Sequence, residues 1–152
     1  MSTQHIARGR ILAVAVACTL SVLTGCTPGG GWTDKDPGIV GDLKIEIPKD
    51  ATNIVGHTDS GVDFLMPNDQ WRDYAAKYYP GKPLSERPSK EVDGSVPAMC
   101  IPAFRSGVKL SHWIAGENIQ SRNDTLAYRF ISVTPDCEPN KAFVQWRLSG
   151  PE

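Results

Sequence analysis

An apolar run from Ile11 to Thr24 is followed almost at once by Thr27 to Lys44, a segment with five glycines and two prolines in 18 residues. The run is about 14 residues long, and a membrane-spanning helix needs roughly 20. The segment after it has too little apolar surface to bury a core and reads as a flexible tether. Only residues 45–152 are left to fold, which is the length of one domain. Their share of apolar and charged side chains is ordinary, since the whole chain is 40% hydrophobic and 22% charged.

The N-terminal segment has a second property. Arg8 and Arg10 precede the apolar run without any acid, and the run ends in small residues, the three-part pattern of an export signal. A buried helix is the competing reading. The four residues Leu23, Thr24, Gly25 and Cys26 decide between ordinary secretion and something more specific, because "LTGC" resembles the lipobox of bacterial lipoproteins: Leu, a small residue, Gly or Ala, then Cys. The resemblance implies that Cys26 is lipidated with a diacylglyceryl group and that cleavage before it removes residues 1–25 as a signal peptide. Residues 26–44 are then the lipidated cysteine and its tether. Two acyl chains of the palmitate type, at about 0.8 kcal/mol per buried methylene, hold a protein stably where one chain holds it marginally. The expected location is the extracytoplasmic face of the cell membrane, in a Gram-positive-type bacterium.

Charge and cysteine content follow from that cleavage. Without residues 1–25 the chain carries 14 basic and 17 acidic side chains, a formal charge of -3. No basic cluster is present, so nucleic acid is not an expected partner and a charge-driven grip on anionic lipid is not indicated. Cys18 leaves with the signal and Cys26 is acylated, so Cys100 and Cys137 remain as a pair in an exported chain and are expected to form a disulfide. Two free buried thiols are the alternative.

Within residues 45–152, alternation over "NIVGHTDSGVDFLMP" predicts a hairpin turning at Asp59-Ser60-Gly61, with Val62, Phe64 and Met66 on one face. Trp71, Tyr74, Ala75 and Tyr78 then fall at helical spacing. Asn68 is the expected N-cap and Pro80-Gly81 the stop, giving an amphipathic helix of about three turns. Lys82 to Pro97 reads as a surface loop. "MCIPAF" and "GVKLSHWIA" are weaker strand candidates, the first interrupted by Pro102. "TLAYRFISV" and "AFVQWRLS" form a second hairpin with Cys137 in its connection. The expected fold class is α+β: a small antiparallel sheet built from two hairpins, one amphipathic helix packed on one face, and a single disulfide.

Chemistry is sparse. HExxH, CxxC, G-x-S-x-G, P-loop and dinucleotide glycine patterns are all absent from the sequence, so no metal and no cofactor is expected. His57 with Asp59 and Asp63 could draw a metal or acid-base site at the hairpin tip, but no zinc-type spacing supports it and a polar tip is the expected reading. Among the aromatic residues, Trp113 lies in the least regular segment and is the candidate partner-contact residue. "IPKDAT", a hairpin and "PNDQ" opening a helix are similar to small actinobacterial lipoproteins of unassigned function, which implies a surface domain and supplies no site. The expected function is a lipid-anchored surface protein, a non-enzymatic binding or accessory module for a protein or envelope ligand. The alternative is a small envelope hydrolase or metal-handling protein using His57 and His112 with nearby acids.

Overall fold

The computed structural model describes residues 37–57, 60–90, 94–121 and 124–151. The expected signal peptide and Cys26 lie outside these residues. In chain order the elements are α1 (Pro37–Leu43), β1 (Thr52–His57), β2 (Gly61–Pro67), α2 (Trp71–Tyr78), β3 (Ser85–Pro88), α3 (Ile101–Arg105, entered through a 3-10 turn at Ala98–Cys100), β4 (Ser111–Gln120), β5 (Leu126–Glu138) and β6 (Lys141–Ser149). The six strands form one antiparallel sheet in the order β1-β2-β6-β5-β4-β3. Both expected hairpins are present, β1-β2 and β5-β6, joined along β2 and β6.

Alternation along the strands sends side chains to two faces. On one face, Val62, Phe64 and Met66 of β2 stand opposite Trp146, Val144 and Ala142 of β6, and Ile131 and Val133 of β5 continue the layer. These residues form the main core with Ile39 and Leu43 of α1 and Trp71, Tyr74 and Ala75 of α2. The opposite face carries Leu65 and Phe143, which pack with Leu110, Cys100 and Cys137. The fold is thus a six-stranded antiparallel sheet with several short helices, rather than a sheet covered by one.

Several local expectations are corrected. The end of the expected tether, Pro37 to Leu43, is the helix α1, with Leu43 fully buried. Composition missed it because its three apolar side chains are spaced among two glycines and an aspartate, and their partners lie on distant strands. The helix α2 has eight residues instead of three turns, and its N-cap is Gln70 without a side-chain bond. Asn68 is engaged elsewhere: its Nδ2 donates to Asp136 Oδ1 at 2.9 Å, and its Oδ1 accepts from the Asp136 backbone N–H at 3.1 Å. Asp136 has φ of 57° within a register shift of β5, so Asn68 braces a bulge in a strand 68 residues away. That bulge also admits Pro135 into β5, and Cys137 lies in the strand rather than in the connection. The "MCIPAF" segment is helical, since Pro102 in a first turn has no lost hydrogen bond to make up. The expected loop after Lys82 contains the four exposed residues of β3.

Cys100 and Cys137 are joined, with Cα atoms 4.5 Å apart, and the bond ties the 3-10 turn before α3 to β5. For a separation of 37 residues the chain-entropy stabilisation is roughly 3.8 kcal/mol. Non-reducing peptide mapping is expected to find this pair linked, and the double variant Cys100→Ala/Cys137→Ala to lose about 2–4 kcal/mol in urea denaturation. Two alkylatable thiols in the native protein would contradict the pairing.

Two buried tyrosines set a second expectation. Burial pushes the Tyr74 phenol far above its ordinary value of 10.0, with Tyr78 nearby acting in the same direction. Tyr79 is raised for the same first reason, partly opposed by Arg129. A folded-state pKa above the unfolded value favours the fold fully below about pH 10. That contribution is lost as pH rises, by about 1.4 kcal/mol per unit for each group. Circular dichroism followed between pH 8 and pH 12 is expected to show cooperative alkaline unfolding, with the phenolate absorbance of the buried pair rising in step. Ionisation of these two phenols within an intact fold would refute it.

Candidate functional site

The site is built around Trp113. Its register partners are Val133 on β5 and Glu86 on β3, which place it on the main-core side of the sheet. The residue is half-buried, packs against that core, and leaves part of its ring on a groove between α2 and β4. The Trp71 ring lies 5.6 Å away at 46°. Next to it on α2, the Arg72 guanidinium stands 4.3 Å from the Trp71 centroid and 4.7 Å from that of Trp113. Both distances are within the range for cation–π attraction.

The far wall of the groove is formed where the chain leaves α2. Gly81 has φ of 73°, a conformation that favours glycine, and the Lys82 N–H donates to the Tyr79 carbonyl at 3.2 Å. This turn carries Lys82, Pro83 and Leu84 alongside the two indoles, closing a groove of about 470 Å³. Lys82 Nζ lies 3.6 Å from Glu117 Oε2, and Glu117 is bonded through its other oxygen to Arg129. The groove therefore combines an apolar lining with two cations. That arrangement suits binding; it contains no nucleophile paired with a base.

The two histidines of the folded region are far apart. His57 Nε2 is 2.8 Å from Asp63 Oδ2, and the same carboxylate accepts a bidentate pair from Arg147. His112 lies on β4, where its Nδ1 is 3.3 Å from Ser89 Oγ. Strands β1 and β4 are four spacings apart, roughly 19 Å across the sheet. Asp59, the other acid named for this tip, lies outside the described residues. Among the described residues no group of three or more His, Cys, Asp or Glu is placed to hold a metal.

Sequence reasoning named Trp113 and did not name Arg72 or Lys82, which line the same groove. Adjacency to Trp71 was the available signal for Arg72, and it does not reveal that a tryptophan 42 residues later also lies within cation–π range of its guanidinium. No family model, curated protein or solved structure matches the chain.

The half-burial of Trp113 predicts a graded response. Trp146, fully buried and donating its indole N–H to Tyr74 Oη at 3.0 Å, is expected to cost about 3–5 kcal/mol on replacement by alanine. Trp113→Ala is expected to cost about 1–2 kcal/mol, since part of its ring already faces water. Urea denaturation of both variants checks the order, and equal losses would place Trp113 in the core alone.

Proposed function

We propose that this chain is a lipid-anchored protein of the extracytoplasmic membrane face, acting as a non-enzymatic binding or accessory module of the bacterial envelope. The observation that carries the anchor is "LTGC" at residues 23–26, preceded by two arginines and an apolar run too short to span. No helix among the described residues is long and apolar enough to cross a membrane. Because α1 begins at Pro37, residues 27–36 separate Cys26 from the folded region. Even fully extended, that connection reaches at most about 40 Å. The start of α1 would therefore stay within about 40 Å of the bilayer.

A binding role is favoured by the groove, where Trp113, Trp71 and Arg72 converge with Lys82 on the opposite wall. The envelope hydrolase or metal-handling alternative needs His57 and His112 to share a pocket, and the separation across four strand spacings gives it no support.

Cys26→Ser tests the anchor. The variant is expected to accumulate as an uncleaved precursor or a released soluble form, and a globomycin-type inhibitor to block processing of the native chain. Inhibitor-sensitive maturation of the serine variant, together with its partitioning into detergent, would sink the lipobox reading. For the binding role, detergent-solubilised native protein is expected to retain an envelope ligand that Trp113→Ala retains more weakly, by more than about 1 kcal/mol if the ring is a hot spot.

A further inference from the structure

We propose that the groove between α2 and β4 takes a small organic carboxylate, its acid group carried on an apolar or ring-shaped body. This rests on the binding-module reading and names the chemistry of the ligand. Arg72 is exposed, yet its guanidinium is held against both Trp71 and Trp113. A guanidinium held by cation–π attraction keeps N–H donors that can form a bidentate pair with an oxyanion. No carboxylate among the described residues pairs with it. The two indoles have already restricted its rotamers, so less entropy is lost when a ligand arrives.

Lys82 places a second positive charge on the facing wall. Its carboxylate neighbour among the described residues, Glu117, is joined to the buried Arg129, so the Glu117 charge is already compensated. Glu86, opposite Trp113 on β3, is exposed and forms no ion pair with Arg72. Arg72 and Lys82 thus put two cations on the groove, with Glu117 shared between Lys82 and Arg129, which favours an anion as the ligand's polar group. The apolar lining from Tyr79, Leu84 and the two indoles accommodates the body of the ligand. The volume, about 470 Å³, falls within the span typical of small-molecule sites. An acidic sugar and the C-terminus of a short peptide both present this chemistry, and the experiment separates them.

Full-length protein in detergent is titrated with glucuronate and with N-acetyl-alanyl-alanine, following tryptophan emission. Glucose and the amide of the same dipeptide serve as neutral counterparts. At least one acid is expected to give a saturable change, with its neutral counterpart at least about tenfold weaker. Arg72→Gln is expected to weaken binding by at least about tenfold, while Arg105→Gln, the same charge change on α3 at the opposite face, leaves it unaltered. Circular dichroism verifies that both variants fold. Saturation by glucuronate alone assigns an acidic sugar, and saturation by the dipeptide alone assigns a peptide terminus. Equal binding of acid and neutral forms, an Arg72→Gln affinity within about twofold of native, or no saturable response to either acid overturns the proposal. An envelope ligand that Arg72→Gln retains and Trp113→Ala loses leaves the binding-module reading standing and this assignment refuted.

Discussion

A buried guanidinium joins the beginning of the described fold to its sheet. Arg129 projects from β5 into the main core, where its Nη1 donates to the Leu43 carbonyl at 2.8 Å and to that of Lys44 at 3.3 Å. These are carbonyls at the C-terminal end of α1, the end where a cation is favoured. Its Nη2 pairs with Glu117 on β4, and the charge sits about 5.5 Å from the ring centroids of Tyr78, Tyr79 and Trp146. Removing a charge of this kind from water costs several kcal/mol, and breaking such a pair by losing one partner typically costs about 3–5 kcal/mol. The arrangement is therefore stable only as a whole, with the helix end, carboxylate and rings all in place.

The consequences reach the groove. With α1 held, the chain after it brings Glu46 to α2, where its carbonyl accepts from Tyr74 Oη at 3.0 Å and its N–H donates to Tyr78 Oη at 2.8 Å. Tyr74 in turn accepts from Trp146 on β6. Through these bonds α2 is fixed over the core, Trp71 is set beside Trp113, and the turn at Gly81 delivers Lys82 to Glu117. Glu117 thus links the buried ion to the groove wall: one oxygen faces Arg129 and the other faces Lys82. Behind the sheet, the disulfide and α3 cover Leu65 and Phe143. The Asp63 site with Arg147 and His57 lies on that same side of β2 by alternation and keeps partial solvent access.

How much of this could be read beforehand differs from element to element. The hairpins at Gly61 and after Glu138 were legible, because alternation over β2, β5 and β6 is local and continuous. The aromatic stripe of α2 was legible for the same reason, although not its eight-residue length. The disulfide followed from cysteine use in a chain expected to be exported. By contrast, α1 sits in a glycine-containing segment whose helicity depends on Arg129, about 85 residues later. Asn68 had the right chemistry for an N-cap and was drawn to Asp136 instead, because both its oxygen and its nitrogen find partners there.

The sequence by itself determined the periodicities, hence most strands and the buried faces of β2, β5 and α2, and through residues 23–26 the expected anchor. These are properties of neighbours along the chain, where spacing alone fixes which side chains share a surface. Only the tertiary structure decided that α1 is a helix, that His57 and His112 stand four strands apart, and that Arg72 lies against both Trp71 and Trp113. Each of those depends on groups separated by tens of residues, brought together by the order of strands in the sheet. Contacts of that range are chosen by the free energy of the whole core, in which burying Trp146 and its apolar neighbours outweighs the local preferences of the segments they hold.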